Sequence, residues 1–209
     1  MSITKHFSTP IRVDYRPEFL KVLNKAADPY ILKAKKLKKN SIKKTKDRFD
    51  SYHSNSILKD PTFFNFRDEV GRTAWDFLDY QGFDMSLYTL FFSEMWIQEF
   101  AKRGGGTHSA HTHWSQVVSG FYFLECNKDT AYPYFMDPRP GAVMTKLRLK
   151  NGEDIFEGTE LIHYTPQPGD LIVFPGYLTH GFSVDHGISK FRFIHFNIQA
   201  APKEVTKSA

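Results

Sequence analysis

The sequence predicts a mainly β protein, a sandwich or barrel of short strands with helices packed outside it on the N-terminal side. Three observations carry this. After Ser86 the chain reads as about eight short strand-like runs divided by turn signals, with no helical pattern among them. Helix-start signals are confined to the first 85 residues. Phenylalanine occurs 20 times and aromatic residues make up 16% of the chain, which suits a sheet-dominated core.

Residues 1–85 are expected to form a helical segment of the same domain as the strands. Residues 1–16 read as an irregular or edge segment. Pro17 can open a helix at its first position, with Phe19, Leu20 and Leu23 on one face. Asp28-Pro29 repeats the signal of an acidic cap followed by proline, so a second helix is expected there. It carries Ile31, Leu32, Ala34 and Leu37 beside a dense lysine face, with a break or fraying near Asn40-Ser41. Asp60-Pro61 is a third start. From it Phe63, Phe66, Val70, Ala74 and Phe77 recur at helical spacing as one core-facing stripe, and Gly82 stops the helix.

The β core is assigned to residues 86–200. Strands are expected over 87–100, 117–124, 132–136, 143–149, 161–165, 171–174, 178–184 and 190–198. Between them stand turn-forming groups such as Asp137-Pro138-Arg139-Pro140-Gly141, Asn151-Gly152 and Pro168-Gly169-Asp170. The polar tail, 201–209, is expected to be disordered.

Composition narrows the function classes. Cys126 is the only cysteine, so an intrachain disulfide is excluded. The N-terminus has no apolar leader and no run approaches transmembrane length, so no membrane association is expected. The location these features predict is cytoplasmic, in the host cytoplasm if the chain is phage-borne. Net charge is +5, but residues 33–48 alone carry +8, leaving the remainder at −3. A solvated lysine face is the plainer reading of that segment. Nucleic acid is a less favoured partner, because no aromatic residue interleaves the lysines for base stacking. The long strand over 87–100 offers an edge that can pair in a homodimer.

The chemistry gathers around Gly104-Gly105-Gly106-Thr107-His108-Ser109-Ala110-His111-Thr112-His113. In an extended chain, side chains at i and i+2 share a face, so His111 and His113 can grip one cation. Imidazole suits Fe, Zn, Cu and Ni. A third ligand must come from elsewhere, and His180 closes the second polar motif, Phe174-Pro175-Gly176-Tyr177-Leu178-Thr179-His180. Twelve residues on, Arg192 stands among apolar residues in a strand. A buried arginine needs a partner, and a carboxylate suits it.

In their order these motifs resemble the iron(II)/2-oxoglutarate-dependent oxygenase superfamily, and more closely an oxygenase group common in marine bacteria and cyanophages. The residues that carry the resemblance are His111-Thr112-His113, Ser119-Gly120-Phe121-Tyr122-Phe123-Leu124, Asp137-Pro138-Arg139, Pro168-Gly169-Asp170, His180 and Arg192, over roughly residues 86–200. The resemblance implies a double-stranded β-helix, or jelly roll. It implies Fe(II) and 2-oxoglutarate as cofactors, with O2 and an unidentified substrate, in a dioxygenase that hydroxylates. It implies iron on His111 and His180, and Arg192 on the far carboxylate of 2-oxoglutarate.

One position departs from the superfamily pattern, which has His-x-Asp/Glu where this chain has His113. Either three imidazoles bind the metal or a carboxylate from elsewhere completes the set, Asp137 being the leading alternative. Lys190 is the rival to Arg192 as cosubstrate anchor. Tyr122, Tyr132, Tyr134 and Trp114 are pocket-lining candidates, although core packing is the plainer role for each. His6, His53, His163 and His186 read as packed or surface residues, His108 as a loop residue, and His195 as facing away from the site. Two rival functions stand beside the oxygenase. A cupin-like metalloenzyme would not use 2-oxoglutarate, but the glutamate that cupins place shortly after His-x-His is missing from Trp114-Ser115-Gln116-Val117-Val118. A binding protein would act through the lysines of residues 33–48.

Overall fold

The computed structural model describes residues 2–45, 51–100, 105–144, 147–187 and 189–203; for residues 40–45, 142 and 143 it describes the backbone alone. The far end of the lysine-rich segment (46–50), Gly104 and the last six residues lie outside these.

Two antiparallel sheets form the body. The larger has the order β1 (Arg12–Tyr15), β8 (Asp170–Pro175), β5 (Val118–Glu125), β10 (Phe191–Pro202), β3 (Tyr88–Phe100) and β2 (Ser51–His53). The smaller has the order β4 (His108–His111), β9 (His180–Phe182), β6 (Pro133–Met136) and β7 (Leu161–His163). This is a jelly roll with its helices outside.

The large sheet is buried on both faces, and strand parity sorts its residues into two cores. Phe121, Phe123, Phe191 and Phe193 meet Phe135 and Phe182 of the small sheet in an aromatic interior. The alternate positions Val118, Tyr122, Leu124, Ile194, Phe196 and Ile198 form a second core with the helices. Tyr122 therefore lies among the helices, its hydroxyl donating to the Arg16 carbonyl at 2.7 Å. Each fully buried phenylalanine contributes about 1.5–3 kcal/mol of apolar burial.

The helices differ from expectation at one point. The proline at 29 does not start a second helix; α1 runs unbroken over Leu20–Thr45, past Asn40-Ser41. Proline inside a helix removes one backbone donor and crowds the preceding turn. Here Leu23, Ala27, Ile31 and Ala34 make one buried stripe through it, and packing of that stripe on the sheet holds the two halves together. Part of the lysine face is likewise committed to the sheet: Lys35 pairs with Glu99 at 2.6 Å and Lys38 donates to the Ser51 carbonyl at 3.2 Å. Both ammonium groups lie over the Tyr52 ring. Helix α2 (Phe64–Tyr80) buries the predicted stripe, and the Asp60 carboxylate caps the turn before it by accepting from the Thr62 N–H at 2.9 Å.

The described residues of the stretch 143–149, which leave out 145 and 146, form no strand. Pro140–Val143 turn as a short helix, α3, and Met144 and Leu147 are exposed, with no sheet edge to pair with. β10 continues to Pro202, into the stretch expected to be tail. The outer edge of β3 is partly closed by β2 and by the Ser54 and Ile57 N–H groups, which donate to the Ile97 and Met95 carbonyls. Among the described residues no helix is long and apolar enough to cross a membrane.

Candidate metal centre

The ladder between β4 and β9 builds the site. Its register sets His111 directly across from His180, and opposed residues project to one side of the sheet. Beyond β4 the chain turns tightly. The His113 N–H donates to the Gly176 carbonyl at 2.9 Å, and the Gln116 N–H returns to the His113 carbonyl at 3.3 Å. Ser115 occupies the left-handed region at φ 66° to make that turn. A Cβ on residue 176 would lie 2.3 Å from the Gln116 carbonyl oxygen, so only glycine lets the two loops close.

Three imidazoles converge as a result. One ligand nitrogen from each of His111, His113 and His180 lies within 4.8 Å of the others. The ring centroids are 4.5 Å apart for His111–His180, 4.9 Å for His111–His113 and 5.0 Å for His113–His180. In two rings the orientation favours a metal. The His111 Nδ1 faces the Ser109 carbonyl at 2.7 Å and the His180 Nδ1 faces the Leu178 carbonyl at 2.8 Å. A nitrogen facing a carbonyl carries the proton and donates it, which leaves the lone pair on Nε2.

His113 is held differently. Its Nδ1 lies 3.1 Å from the Asn197 amide nitrogen, which also donates to Glu94 at 2.9 Å, while the Ser119 hydroxyl donates to the Asn197 oxygen at 2.6 Å. For the His113 Nε2 to offer a lone pair, its Nδ1 must carry the proton, and Asn197 must then turn its oxygen toward the ring.

The Nε2 atoms of His113 and His180 are buried without a hydrogen-bond partner. Burial, reinforced by the neighbouring imidazoles, pushes the pKa of His113 down to about 4 and that of His180 down to about 3. The rings are therefore neutral at neutral pH, as ligation requires. A bound cation would satisfy nitrogens that are otherwise costly to bury.

Comparison with known proteins agrees with this geometry. Residues 94–197, which span the cluster and its ladder, match the family described as "Putative 2OG-Fe(II) oxygenase". The barrel is similar to the 2OG-Fe(II) oxygenase family over these 104 residues of the 209. Solved structures share the fold at low identity. AviO1 from Streptomyces viridochromogenes Tue57 superposes with a TM-score of 0.59 at 12% identity, covering 96% of this chain and 93% of that one. A Pseudomonas putida prolyl-4-hydroxylase gives 0.56 at 9% identity, covering 92% and 93%. A Burkholderia pseudomallei oxidoreductase of the 2OG-Fe(II) oxygenase family gives 0.50 at 13% identity, covering 72% and 68%. No curated protein matches the sequence.

An oxygenase of this family implies Fe(II), 2-oxoglutarate, O2 and a substrate. The three converging imidazoles fit the iron, since the unpartnered Nε2 atoms and the neutral state of His113 and His180 are what a divalent ion needs. The fit to 2-oxoglutarate is poorer. The inner wall of the large sheet presents Trp96, Gln98 and Phe100 from β3, Phe121 and Phe123 from β5, Ile172 and Phe174 from β8, and Phe191, Phe193 and His195 from β10. No arginine or lysine stands at an inner position of these four strands, so the second carboxylate of 2-oxoglutarate finds no cation on that wall.

The structure does not bring Arg192, the expected cosubstrate anchor, to the histidines. It lies on the helix-facing side of β10, where Nε and Nη2 donate to Glu99 at 2.8 and 2.6 Å and Nη1 donates to Asp28 at 2.9 Å. Glu125 lies 3.3 Å from the same guanidinium, and Lys190 pairs with Glu125 at 2.9 Å. Asp137 is also engaged elsewhere. Arg139 binds it at 2.6 Å and holds its carboxyl below the usual range, and it is absent from the cluster of ligand nitrogens. Trp114 is exposed.

His195 is the residue that sequence reasoning missed. It faces inward, stacked on His113 with centroids 4.8 Å apart. Its parity opposite to Arg192 was visible in the sequence, but which parity faced the site was not.

Proposed function

We propose that the protein is a metal-dependent oxygenase, a hydroxylase of a substrate still to be identified, in which His111, His113 and His180 hold Fe(II). The observation that carries this reading is the convergence of three imidazoles, two of which, His113 and His180, bury an Nε2 without any other partner. Iron held there would, with 2-oxoglutarate and O2 as co-reactants, supply the oxidising power for C–H hydroxylation, one oxygen atom passing to the substrate and the other to succinate as CO2 leaves. The chain's own residues prepare for that chemistry. The Ser109 and Leu178 carbonyls fix two rings with Nε2 inward, and Phe121, Phe135 and Phe174 pack around His180 and keep bulk water from it. Phe135 and Leu178 also border a cleft of about 430 Å³ against the N-terminal segment and Arg139, and the reading assigns the substrate to this cleft.

The test is anaerobic titration of the apo-protein with Fe(II) and then 2-oxoglutarate, following the visible charge-transfer band of the chelate. The band is expected in wild type and lost in His180→Ala. Tight iron binding with no band would instead support a metal enzyme that does not use 2-oxoglutarate, in keeping with an inner wall that lacks arginine and lysine. A nucleic-acid role for residues 33–48 draws less support, because Lys35 and Lys38 are engaged with the sheet and Tyr52.

A further inference from the structure

We propose that His195 is a ligand-binding residue of the metal centre, its ring hydrogen-bonding a small ligand held at the metal on the inner side of the barrel. The inference rests on the three-histidine reading and extends it. His195 is 1% exposed, and neither of its ring nitrogens has a hydrogen-bond partner. A neutral imidazole always carries one N–H donor and one acceptor, so both are buried unmatched. The three converging histidines differ in this respect, for each has its Nδ1 tied to a carbonyl or an amide.

The surroundings show what His195 faces. Its ring stacks on His113 and rests against Trp96 at 4.7 Å and Phe121 at 5.4 Å. A cavity of about 10 Å³ is lined by His108, His111, His180 and His195 together with Trp96 and three phenylalanine rings, and of these histidines His195 alone has both ring nitrogens buried without a partner. That volume accommodates one water-sized molecule. The ligand is therefore a single small oxygen or nitrogen donor, such as water, hydroxide, dioxygen or the end of an azide ion. Against an otherwise aromatic wall, His195 is placed to meet it with a hydrogen bond. Its ring lies nearly face-on to His113, at 29°, and its nitrogens fall outside the cluster of three, so it is assigned to the ligand and not to the metal. For packing alone a phenylalanine would serve, as it does at 191 and 193.

The experiment uses full-length protein loaded with Co(II), whose visible bands report coordination, and azide as the probe. Wild type, His195→Phe and His195→Gln are compared. Co(II) affinity is expected to stay within about threefold in both variants, while the azide dissociation constant rises about tenfold or more in His195→Phe and is largely restored in His195→Gln. Should His195→Phe fail to fold, His195→Leu supplies the same comparison. Azide that binds the apolar variant as well as wild type, or does not bind Co(II)-loaded wild type, overturns the proposal and makes His195 a packing residue. Loss of Co(II) binding from a folded variant also overturns it, by making His195 a metal ligand. The azide outcomes leave the three-histidine reading standing and the loss of Co(II) binding adds His195 to its ligand set, whereas wild type that takes up no Co(II) removes that reading and this one together.

Discussion

His111 and His180 face each other across the β4–β9 ladder with ring centroids 4.5 Å apart, and each turns its Nδ1 to a carbonyl two residues upstream. A backbone register thus sets the spacing of the two rings, and two backbone carbonyls set their tautomer.

Removing either ring should abolish the centre and spare the fold. His111→Ala and His180→Ala are each expected to lower Fe(II) affinity by about a hundredfold or more. Metal at 100 times its Kd adds about 2.7 kcal/mol to the wild type, so a rise in Tm on adding metal should be present in wild type and missing in both variants. A variant that keeps the thermal shift would remove that residue from the ligand set.

His113→Asp tests the third position. It would replace the imidazole that Asn197 holds through its amide nitrogen and create two histidines with one carboxylate. Fe(II) binding is expected to survive, with affinity within about tenfold of wild type, whereas His113→Leu loses it. Equal loss in both variants would mean that residue 113 does not reach the metal.

Gly176→Ala acts at a distance from the metal. The added Cβ meets the Gln116 carbonyl, so the turn carrying His113 must shift. Stability is expected to fall by about 1–3 kcal/mol and metal affinity to fall with it. Calorimetry with a metal titration reads both.

Apo-protein stability should depend on pH in a defined direction. Burial keeps His113 and His180 neutral in the folded state down to about 4 and about 3, whereas the unfolded chain takes up protons below about 6.5. The unfolded state therefore binds more protons throughout that window, and stability falls as pH drops through it. Urea midpoints measured from about pH 7.5 to about pH 5 should decline, and a flat profile would show that the rings are not buried as neutral groups.

Arg192→Met is expected to cost stability and leave the metal centre intact. Breaking a buried ion pair from one side costs about 3–5 kcal/mol, and Lys35 remains beside Glu99 to soften the loss. Unchanged Fe(II) and 2-oxoglutarate binding with a lower Tm is the expected pattern. Selective loss of 2-oxoglutarate binding would restore Arg192 to the site.

Much of the barrel and its cluster of three histidines was legible because their signals are local. His111-Thr112-His113 and the turn-flanked His180 announce themselves by spacing, and the long runs at β3, β5 and β10 by composition. The contents of the two faces of β10 were not legible. Phe191 and Phe193 point one way and Ile194, Phe196 and Ile198 the other, so a strand buried on both sides gives no polar alternation to orient it. That ambiguity exchanged the positions of Arg192 and His195. The continuity of α1 was hidden for a related reason, since tertiary packing overrode a local proline signal.

The cation at 192 has a consequence for how the molecule can be divided. Asp28 and Lys35 of α1 meet Arg192 and Glu99 of the sheet, and the same helix covers Ile194, Phe196 and Ile198. Cutting the chain at residue 86 would strip one whole face of the sheet and leave Glu99 and Arg192 without half their partners. The barrel that carries the histidines is therefore expected not to fold without residues 1–85, which expression of 86–209 alone would check. Its helical preface acts as a second wall, and any minimal catalytic fragment has to retain it.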